Sequence, residues 1–135
     1  MKGGAFLDTN VLIYAALQPD PRSDRARALL AQGGAVSVQV LNEFANVARR
    51  KLRKPWPEVA QALTAVRALC PPPLPVTLAT HEAALGIAAR FGYRIYDSLI
   101  IASALEAACA TLYSEDMQDG QAIEGRLTIR NPFRP

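Results

Sequence analysis

Short apolar segments with strand-like composition alternate with longer helix-like segments along this chain of 135 residues, and this alternation restricts its fold more than any other feature. The segments predicted as strands are 4–7, 35–38, 76–78, 111–113 and 127–129. Strands separated by helices need crossover connections, which place the strands side by side in a parallel sheet covered on both faces. The sequence therefore predicts an α/β domain with a mostly parallel sheet.

The helices are predicted from apolar periodicity and from residues that start or stop helices. They cover 11–17, 24–32, 39–52, 55–69, 80–92 and 97–108. Thr9, Ser23 and Thr80 are predicted to cap three of them, because a hydroxyl oxygen at a helix start accepts hydrogen bonds from free N–H groups. The first helix is predicted to lie in the core, with a surface for a second copy or another protein partner as the alternative. The last helix is apolar on nearly all sides, which indicates burial.

The length fits one domain spanning residues 1–135, large enough to bury a core without disulfides. Cys70 and Cys109 form no C-x-x-C pair, and both are predicted to be buried thiols in a reducing compartment, a disulfide being the less favoured alternative. The N-terminus reaches Asp8 too early for a signal peptide, and no apolar stretch approaches the ~20 residues that cross a bilayer. We therefore expect a cytoplasmic protein without membrane contact.

Four acidic residues follow predicted strands or begin predicted helices. Asp8 directly follows the first strand, and Glu43 lies early in the helix after the second. Asp97 begins the apolar helix, and Asp116 lies just beyond the strand at 111–113. Because the carboxyl ends of parallel strands share one edge of a sheet, where ligands bind, we expect these four side chains to converge.

Each of these acids also has a purely structural interpretation. Asp8 and Asp97 are both placed to cap helices, and for either one alone the cap is the favoured interpretation. Glu43 borders an apolar stripe, where a solvated glutamate is common, and Asp116 lies in a turn-forming sequence. The combination shifts the balance, since Asp97 heads a helix of core residues, where a carboxylate without a partner is costly.

Four carboxylates held close together repel one another, and they respond by taking up protons or binding cations. Oxygen ligands of this kind favour Mg²⁺ or Mn²⁺ over softer metals. Zinc fits less well, because the chain has a single histidine, His81, and no cysteine cluster. His81 lies near a predicted helix start and is expected at the surface rather than in a metal site.

Four segments, in this order, resemble the motifs of PIN domains. Residues 6–10 (FLDTN) are similar to the opening motif, and Glu43 is similar to the second acid. Residues 96–104 (YDSLIIASA) are similar to the third motif and form the most specific match, while residues 112–120 (LYSEDMQDG) resemble the fourth. The chain departs from the fourth motif at Ser114, where threonine is frequent, but serine keeps the hydroxyl group.

The resemblance implies a three-layer α/β/α PIN-like fold with a mostly parallel sheet of about five strands. It also implies an endoribonuclease that depends on Mg²⁺ or Mn²⁺. Stand-alone PIN domains of this length are commonly VapC-type toxins of type II toxin–antitoxin systems. We therefore expect RNA as substrate, a cognate antitoxin as partner, and a homodimer.

The resemblance also assigns roles to the acids. Asp8, Asp97 and Asp116 would hold one or two metal ions, and Glu43 would orient the water that attacks the phosphodiester, leaving 5′-phosphate and 3′-hydroxyl ends. The single histidine supports this route indirectly, because a reaction through the RNA 2′-hydroxyl with two histidines is not available to this chain.

Three polar residues near the acids are expected to support them. Asn10 and Ser114 would orient the carboxylates through hydrogen bonds, as groups behind metal ligands commonly do. Asp119 follows Asp116 closely in the fourth motif and is a candidate further acid of the site.

Five basic residues occupy six successive positions after Glu43. They are Arg49, Arg50, Lys51, Arg53 and Lys54. One interpretation is a helix C-terminus, which favours cations because of the helix dipole. The other is a track for RNA phosphates or for an acidic antitoxin segment. A polyanion partner suits the net charge of +3, since assigning four of the 12 acids to a metal site leaves eight against 15 Lys and Arg.

Two other enzyme classes also place acids at strand ends. A phosphoacceptor receiver domain needs a second acid beside Asp8 and a lysine after the last strand. This chain has Thr9 and Asn10 beside Asp8, and no lysine follows Lys54. A haloacid-dehalogenase-like phosphatase needs an aspartate where this chain has Asn10. The main alternative is a non-catalytic PIN-like module that binds RNA or protein, although such a module would be expected to have lost one of the four acids.

Overall fold

The computed structural model describes residues 3–134, which form six helices and four strands. The strands are β1 (Ala5–Leu7), β2 (Thr111–Tyr113), β3 (Ala122–Ile123) and β4 (Leu127–Arg130). The helices are α1 (Thr9–Ala16), α2 (Ser23–Ala31), α3 (Val38–Arg50), α4 (Trp56–Leu69), α5 (Leu78–Phe91) and α6 (Ile95–Glu106). The predicted α/β architecture is confirmed.

The sheet has the order β1-β2-β4-β3, so the last strands of the chain lie beside the first. β1 pairs with β2 and β2 with β4 in parallel, and only the short β3 runs antiparallel to β4. The register aligns Leu7 with Tyr113 and Tyr113 with Arg130, so the three parallel strands end at the same level. The residues that follow β1 and β2 therefore emerge together at one edge.

The prediction of a strand at 35–38 is wrong. Ala35 makes an isolated parallel bridge to β1, and Ser37 makes another to Leu74. The chain cannot continue as a strand because Ser37 caps α3, its hydroxyl oxygen accepting a hydrogen bond from the Val40 N–H at 3.2 Å. The helix start thus overrides the strand propensity of this apolar segment.

The prediction of a strand at 76–78 is also wrong, because α5 begins there. Thr77 is the N-cap, and Thr80 lies three residues later. Each threonine oxygen accepts a hydrogen bond from the backbone N–H of the other, at 3.1 and 3.2 Å, which forms a capping box. With both segments lost and the short β3 gained, the sheet of residues 3–134 has four strands rather than about five.

The starts of three other helices differ from the predictions by a few residues. Asp8 rather than Thr9 caps α1. Ser23 is the first residue of α2 rather than its cap. α6 starts at Ile95, which places Asp97 inside its first turn rather than at its beginning. Both Asp8 and Asp97 therefore lie at helix N-termini, where the helix dipole favours a negative charge.

The core lies between the sheet and its helices. Phe6, Leu112 and Ile129 of the three parallel strands are fully buried, and Ile100 and Ile101 of α6 are buried against them. Each such side chain contributes about 1.5–3 kcal/mol to folding. α6 is buried over most of its length, as its composition predicted, and α1 supplies further core residues.

Two further expectations concern the cysteines and the membrane. Both cysteines are free thiols; Cys109 is buried as predicted, whereas Cys70 is only half-buried. Burial raises the pKa of the Cys70 thiol to about 11, so it stays protonated at neutral pH. None of the helices within residues 3–134 combines the length and apolar character needed to span a bilayer.

Gly34 offers a test of how β1 is held in place. A Cβ at this position would lie 2.6 Å from Leu7 Cγ and 2.7 Å from Leu7 Cδ1. We predict that Gly34→Ala lowers the free energy of unfolding by about 1–3 kcal/mol, because the buried Leu7 must move. Gly86→Ala is the matched control, since its Cβ would meet nothing within 4 Å on the exposed side of α5.

The control variant should instead be more stable by about 0.5–1 kcal/mol, because alanine favours the helix over glycine. Urea denaturation of both variants measures the difference. Equal midpoints for the two variants would contradict the close contact between Gly34 and Leu7.

Candidate active site

A cleft of about 340 Å³ opens at the edge of the sheet where β1 and β2 end. The structure brings all four predicted acids to it: Asp8, Glu43, Asp97 and Asp116 line its wall. They arrive from the end of β1, from α3, from the first turn of α6 and from the loop after β2. Four segments that are distant in sequence therefore present carboxylates to one space.

Asp8 is the buried member of the set, with 5% of its surface exposed. Its Oδ1 accepts a hydrogen bond from the Thr9 N–H at 2.7 Å, which caps α1. Its Oδ2 accepts a hydrogen bond from the Ser114 hydroxyl at 2.7 Å. The capping interpretation and the site interpretation of Asp8 are thus compatible, because one oxygen caps the helix and the other faces the loop after β2.

Burial sets the protonation of Asp8. The pKa of Asp8 is raised to about 7, chiefly by loss of hydration; the hydrogen bonds from Ser114 and Thr9 oppose this shift, and the nearby carboxylates of Glu43 and Asp97 add to it. Without a cation, this carboxyl group is therefore partly protonated near neutral pH.

The loop after β2 is held by two polar side chains. The Ser114 oxygen, while donating to Asp8, accepts hydrogen bonds from the N–H groups of Asp116 at 3.3 Å and Met117 at 3.2 Å. The Asn10 amide donates to Asp116 Oδ2 at 3.2 Å and lies 3.5 Å from Asp8 Oδ2. Ser114 and Asn10 thus link the first acid to the fourth through hydrogen bonds.

Glu43 and Asp97 are half-buried, and each has a neighbour on its own helix. Glu43 accepts a hydrogen bond from the Gln39 amide at 3.0 Å. Asp97 Oδ2 lies 3.6 Å from Arg94 Nε. Burial raises the pKa of both carboxyl groups, and the charge of Asp97 adds to the effect on Glu43. Gln39 and Arg94 work in the opposite direction and favour the ionised forms.

Two cations line the same cleft. Lys51 belongs to the basic segment and is the C-cap of α3, two helical turns beyond Glu43. Arg94 was not identified from the sequence as a residue of the site. Its position three residues before Asp97 could have indicated it, because residues at this spacing are neighbours on a helix. The cleft therefore holds positive charge at its rim as well as negative charge inside.

The other basic residues lie outside the cleft. Arg49 donates a hydrogen bond to the Lys54 carbonyl at 2.9 Å and stacks on the Trp56 ring at 4.8 Å. Lys54 Nζ lies 3.3 Å from a carboxylate oxygen of Glu58. Arg50 and Arg53 are exposed without being part of the cleft wall. The helix-end interpretation thus describes most of this segment, and Lys51 is its one member in the cleft.

Asp119 and His81 also lie outside the cleft. The Asp119 carboxylate accepts a hydrogen bond from the Asn131 N–H at 2.8 Å and lies 3.8 Å from Arg134 Nη1. It therefore fastens the segment after β4 rather than joining the four acids. His81 is exposed on α5, in agreement with the expectation.

One group of residues, of which Tyr14 and Glu115 line the cleft, had no clear signal in the sequence. Glu115 accepts hydrogen bonds from the Tyr14 hydroxyl at 2.8 Å and from Arg22 Nη1 at 2.6 Å. Arg22 also pairs with Asp20 at 2.7 Å, and its guanidinium lies 4.2 Å from the centre of the Tyr14 ring. The Glu115 N–H also donates a hydrogen bond to the Asn10 side-chain oxygen at 3.2 Å. The network therefore fastens the loop that carries Asp116 to Asn10, Tyr14 and Arg22.

The four acids are too far apart to bind one metal ion together in the described conformation. Among residues 3–134, no three acidic, histidine or cysteine side chains are close enough together to bind one ion in the described conformation. Asp97 turns toward Arg94, and Glu43 toward Gln39. The four acids share a cleft and influence one another's ionisation, but they are not drawn into a tight cluster.

The raised pKa of Asp8 predicts a pH effect on the metal-free protein. The unfolded chain ionises this group near its ordinary value of 3.8, whereas the folded protein ionises it only near 7. Stability is therefore lost as pH rises across this window, by at most about 1.4 kcal/mol per pH unit. Asp8→Asn removes the titration but keeps an oxygen for the Thr9 N–H, so its stability relative to wild type should improve from pH 4 to pH 7.

Chemical denaturation in EDTA at several pH values measures this difference. Asp24→Asn is the control, because Asp24 is fully exposed on α2. Parallel pH profiles for wild type and Asp8→Asn would show that Asp8 ionises normally in the folded protein.

Three solved structures share the fold at low sequence identity. VapC20 of Mycobacterium tuberculosis, a sarcin–ricin loop cleaving toxin, is 21% identical with a TM-score of 0.68 over 84% of this chain and 90% of that one. A toxin–antitoxin complex from Klebsiella pneumoniae is 17% identical with a TM-score of 0.72 over 98% and 100% of the two chains. VapBC2 from Rickettsia felis, bound to a DNA fragment from its promoter, is 18% identical with a TM-score of 0.69 over 93% and 96%.

No curated protein has a significant match to this sequence. The family model of the PIN domain matches residues 5–119, a span that contains all four acids of the cleft, all six helices, and strands β1 and β2. The resemblance of the four motifs is therefore confirmed over most of the chain, and the protein belongs to the PIN-domain family.

Proposed function

We propose that this protein is a metal-dependent endoribonuclease that hydrolyses RNA phosphodiester bonds and acts as the toxin of a toxin–antitoxin pair. The observation that carries the proposal is the set of four carboxylates, Asp8, Glu43, Asp97 and Asp116, on the wall of one open cleft in a PIN domain. The structural similarity to a toxin that cleaves the sarcin–ricin loop supports RNA as the substrate.

A divalent cation, Mg²⁺ or Mn²⁺, fits the chemistry of this cleft. Asp8, Asp97 and Asp116 would hold it, since they offer only hard oxygen ligands. A cation would also offset the cost of ionising Asp8, whose pKa burial raises to about 7. Binding requires side chains to rotate, because Asp97 now faces Arg94 and the acids are not clustered.

When bound there, the cation would stabilise negative charge on the phosphate and promote ionisation of the attacking water. The chain's own residues supply the rest. Glu43, which accepts a hydrogen bond from Gln39 at 3.0 Å, would orient that water and accept a proton from it. Lys51 and Arg94 attract the phosphate through their charge.

Asn10 and Ser114 keep the carboxylates of Asp8 and Asp116 oriented while the substrate binds. The single histidine lies on the exposed surface of α5, so a route that needs two histidines is not available. In the proposed hydrolysis the bond between phosphorus and the 3′ oxygen would break, and the leaving oxygen would take up a proton from solvent, so the products would carry 5′-phosphate and 3′-hydroxyl ends.

We also propose a cognate antitoxin, a homodimer and a cytoplasmic location. The antitoxin is supported by the similarity to two toxin–antitoxin complexes. An acidic antitoxin segment and an RNA backbone would both be attracted by the exposed cations Arg49, Arg50 and Arg53. A non-catalytic PIN-like binding module is the rival that the following experiment separates.

Asp97→Asn tests the metal-dependent reaction. Purified protein, freed of any partner, is incubated with a pool of structured RNAs in Mg²⁺, Mn²⁺ or EDTA. We expect cleavage in either metal, none in EDTA, and a loss of at least about a hundredfold in Asp97→Asn, since even groups behind a metal ligand contribute about 10–100-fold. Asp24→Asn, an acid outside the cleft, should cleave normally.

Metal-induced stabilisation is measured on the same proteins by thermal unfolding. Stabilisation of wild type but not of Asp97→Asn is expected. Cleavage that persists in EDTA would contradict the mechanism, and a folded wild-type protein with neither cleavage nor metal-induced stabilisation would favour the binding module.

Lys51 and Lys54 allow the two interpretations of the basic segment to be compared within one helix end. We predict that Lys51→Gln weakens RNA binding and lowers the salt dependence of the affinity by about 0.7 in log Kd per log salt, the value for one phosphate contact on a single strand. Lys54→Gln should change neither, because Lys54 is paired with Glu58 outside the cleft. Identical salt slopes for both variants would exclude Lys51 as a phosphate contact.

A further inference from the structure

A second, more open cleft of about 520 Å³ adjoins the acidic cleft. Glu43, Val47 and Arg94 line both, so the two clefts form one continuous groove along α3 and the start of α6. The hydrolysis proposed above takes place in the first cleft and leaves the second without a role. Any chain of nucleotides bound across the acids has to leave the first cleft, and the second lies on one such path.

The second cleft carries hydrogen-bonding amides and an aromatic ring. Gln39, Asn42 and Asn46 of α3 line one side, and Tyr96 of α6 lines the other. A side-chain amide offers donors and an acceptor in one plane, which matches the edges of nucleobases. The Tyr96 ring, 59% exposed, offers a face on which a base can stack.

The two asparagines are not explained by the needs of the helix. Asn42 and Asn46 lie one turn apart on the exposed side of α3, where alanine, lysine or glutamate would stabilise the helix more. Among the described residues of α3, the side-chain hydrogen bonds are made by Gln39, Glu43 and Arg49 and by neither asparagine. A local preference that is broken without a structural gain is typical of functional positions.

We propose that the second cleft binds one unpaired nucleobase of the RNA, adjacent to the phosphodiester that is cut at the acids. Tyr96 stacks on the face of the base, and Asn42 and Asn46 form hydrogen bonds with its edge. Arg94, at the boundary of the two clefts, contacts the phosphate that joins this nucleotide to the cleaved bond.

This proposal rests on the proposed ribonuclease function and narrows its substrate class. A base stacked within an A-form duplex cannot present its face to Tyr96, so the preferred RNA has a loop, bulge or free strand beside the cut. A perfectly paired duplex of the same sequence should be a poor substrate.

The test compares binding of an intact RNA with binding of RNAs that lack one base. A short single-stranded RNA is labelled for fluorescence anisotropy in EDTA, and each nucleotide in turn is replaced by an abasic residue. We expect one position at which base removal raises the Kd about tenfold, the size of a single base–aromatic stack. Tyr96→Ala should raise the Kd for intact RNA by the same factor but leave the Kd for that abasic RNA nearly unchanged.

Three further variants complete the set. Tyr96→Phe should bind like wild type, because the ring face is kept. Asn46→Ala should weaken binding of intact RNA and change which base is preferred at the position. The controls are Gln61→Ala, an exposed amide of α4, and Leu85→Ala, an exposed apolar residue of α5, neither of which lines the groove.

Cleavage is measured separately in Mg²⁺ and Mn²⁺, so the two proposals fail in different ways. If wild type cleaves RNA but Tyr96→Ala and Asn46→Ala bind like the controls, the base site is overturned while the ribonuclease stands. If Tyr96→Ala weakens intact and abasic RNAs equally, the second cleft contacts the backbone or a protein partner, and the base site is again overturned. If no RNA is cleaved but the abasic effect and its dependence on Tyr96 are observed, the base site stands and the ribonuclease falls.

Discussion

The hydrogen bond between Ser114 and Asp8 joins the ends of two parallel strands, and the site depends on it. Asp8 follows β1 and caps α1, while Ser114 follows β2 and starts the loop that carries Asp116. The bond of 2.7 Å fixes one carboxylate oxygen, and the Thr9 N–H fixes the other at 2.7 Å. The strand pairing aligns the ends of β1 and β2, and this side-chain hydrogen bond fixes the orientation of the residues that follow them.

The same burial that fixes Asp8 makes its charge expensive. Its neighbours in the cleft are two carboxylates that repel it and two cations, Lys51 and Arg94, that line the rim. Folding therefore brings together carboxylates that repel one another. Protonation, rotation of Asp97 toward Arg94, or a bound cation would reduce this repulsion. This imbalance of charge is the physical basis of the cation binding that we propose for the cleft.

Much of the fold and of the acid set was predictable, because both depend on local patterns. Asp8 and residues 114–116 directly follow apolar strand segments, which places them at the carboxyl ends of strands. In a parallel sheet these ends lie together at one edge. The strands at 35–38 and 76–78 failed because caps at Ser37 and Thr77 start helices there, a choice that depends on single hydrogen bonds. Strand propensity alone does not register such competition.

The groups that surround the acids were harder to predict. Arg22, Tyr14 and Glu115 meet from three separate segments, and each is an ordinary surface residue in its own segment. Their contact exists only after α1, α2 and the loop after β2 have packed. For Asp119 the sequence predicted a role that the structure does not show. Its place in the fourth motif suggested that it lies in the cleft, but its carboxylate instead contacts Asn131.

The strand order has a consequence for the time at which the site exists during synthesis. β1 pairs with β2 across more than a hundred residues, and the Ser114–Asp8 bond spans 106 positions. Such distant pairing makes folding slow compared with that of a helical bundle. A growing chain holds no complete set of acids until residue 116 has been added, so every shorter nascent polypeptide lacks one wall residue of the cleft.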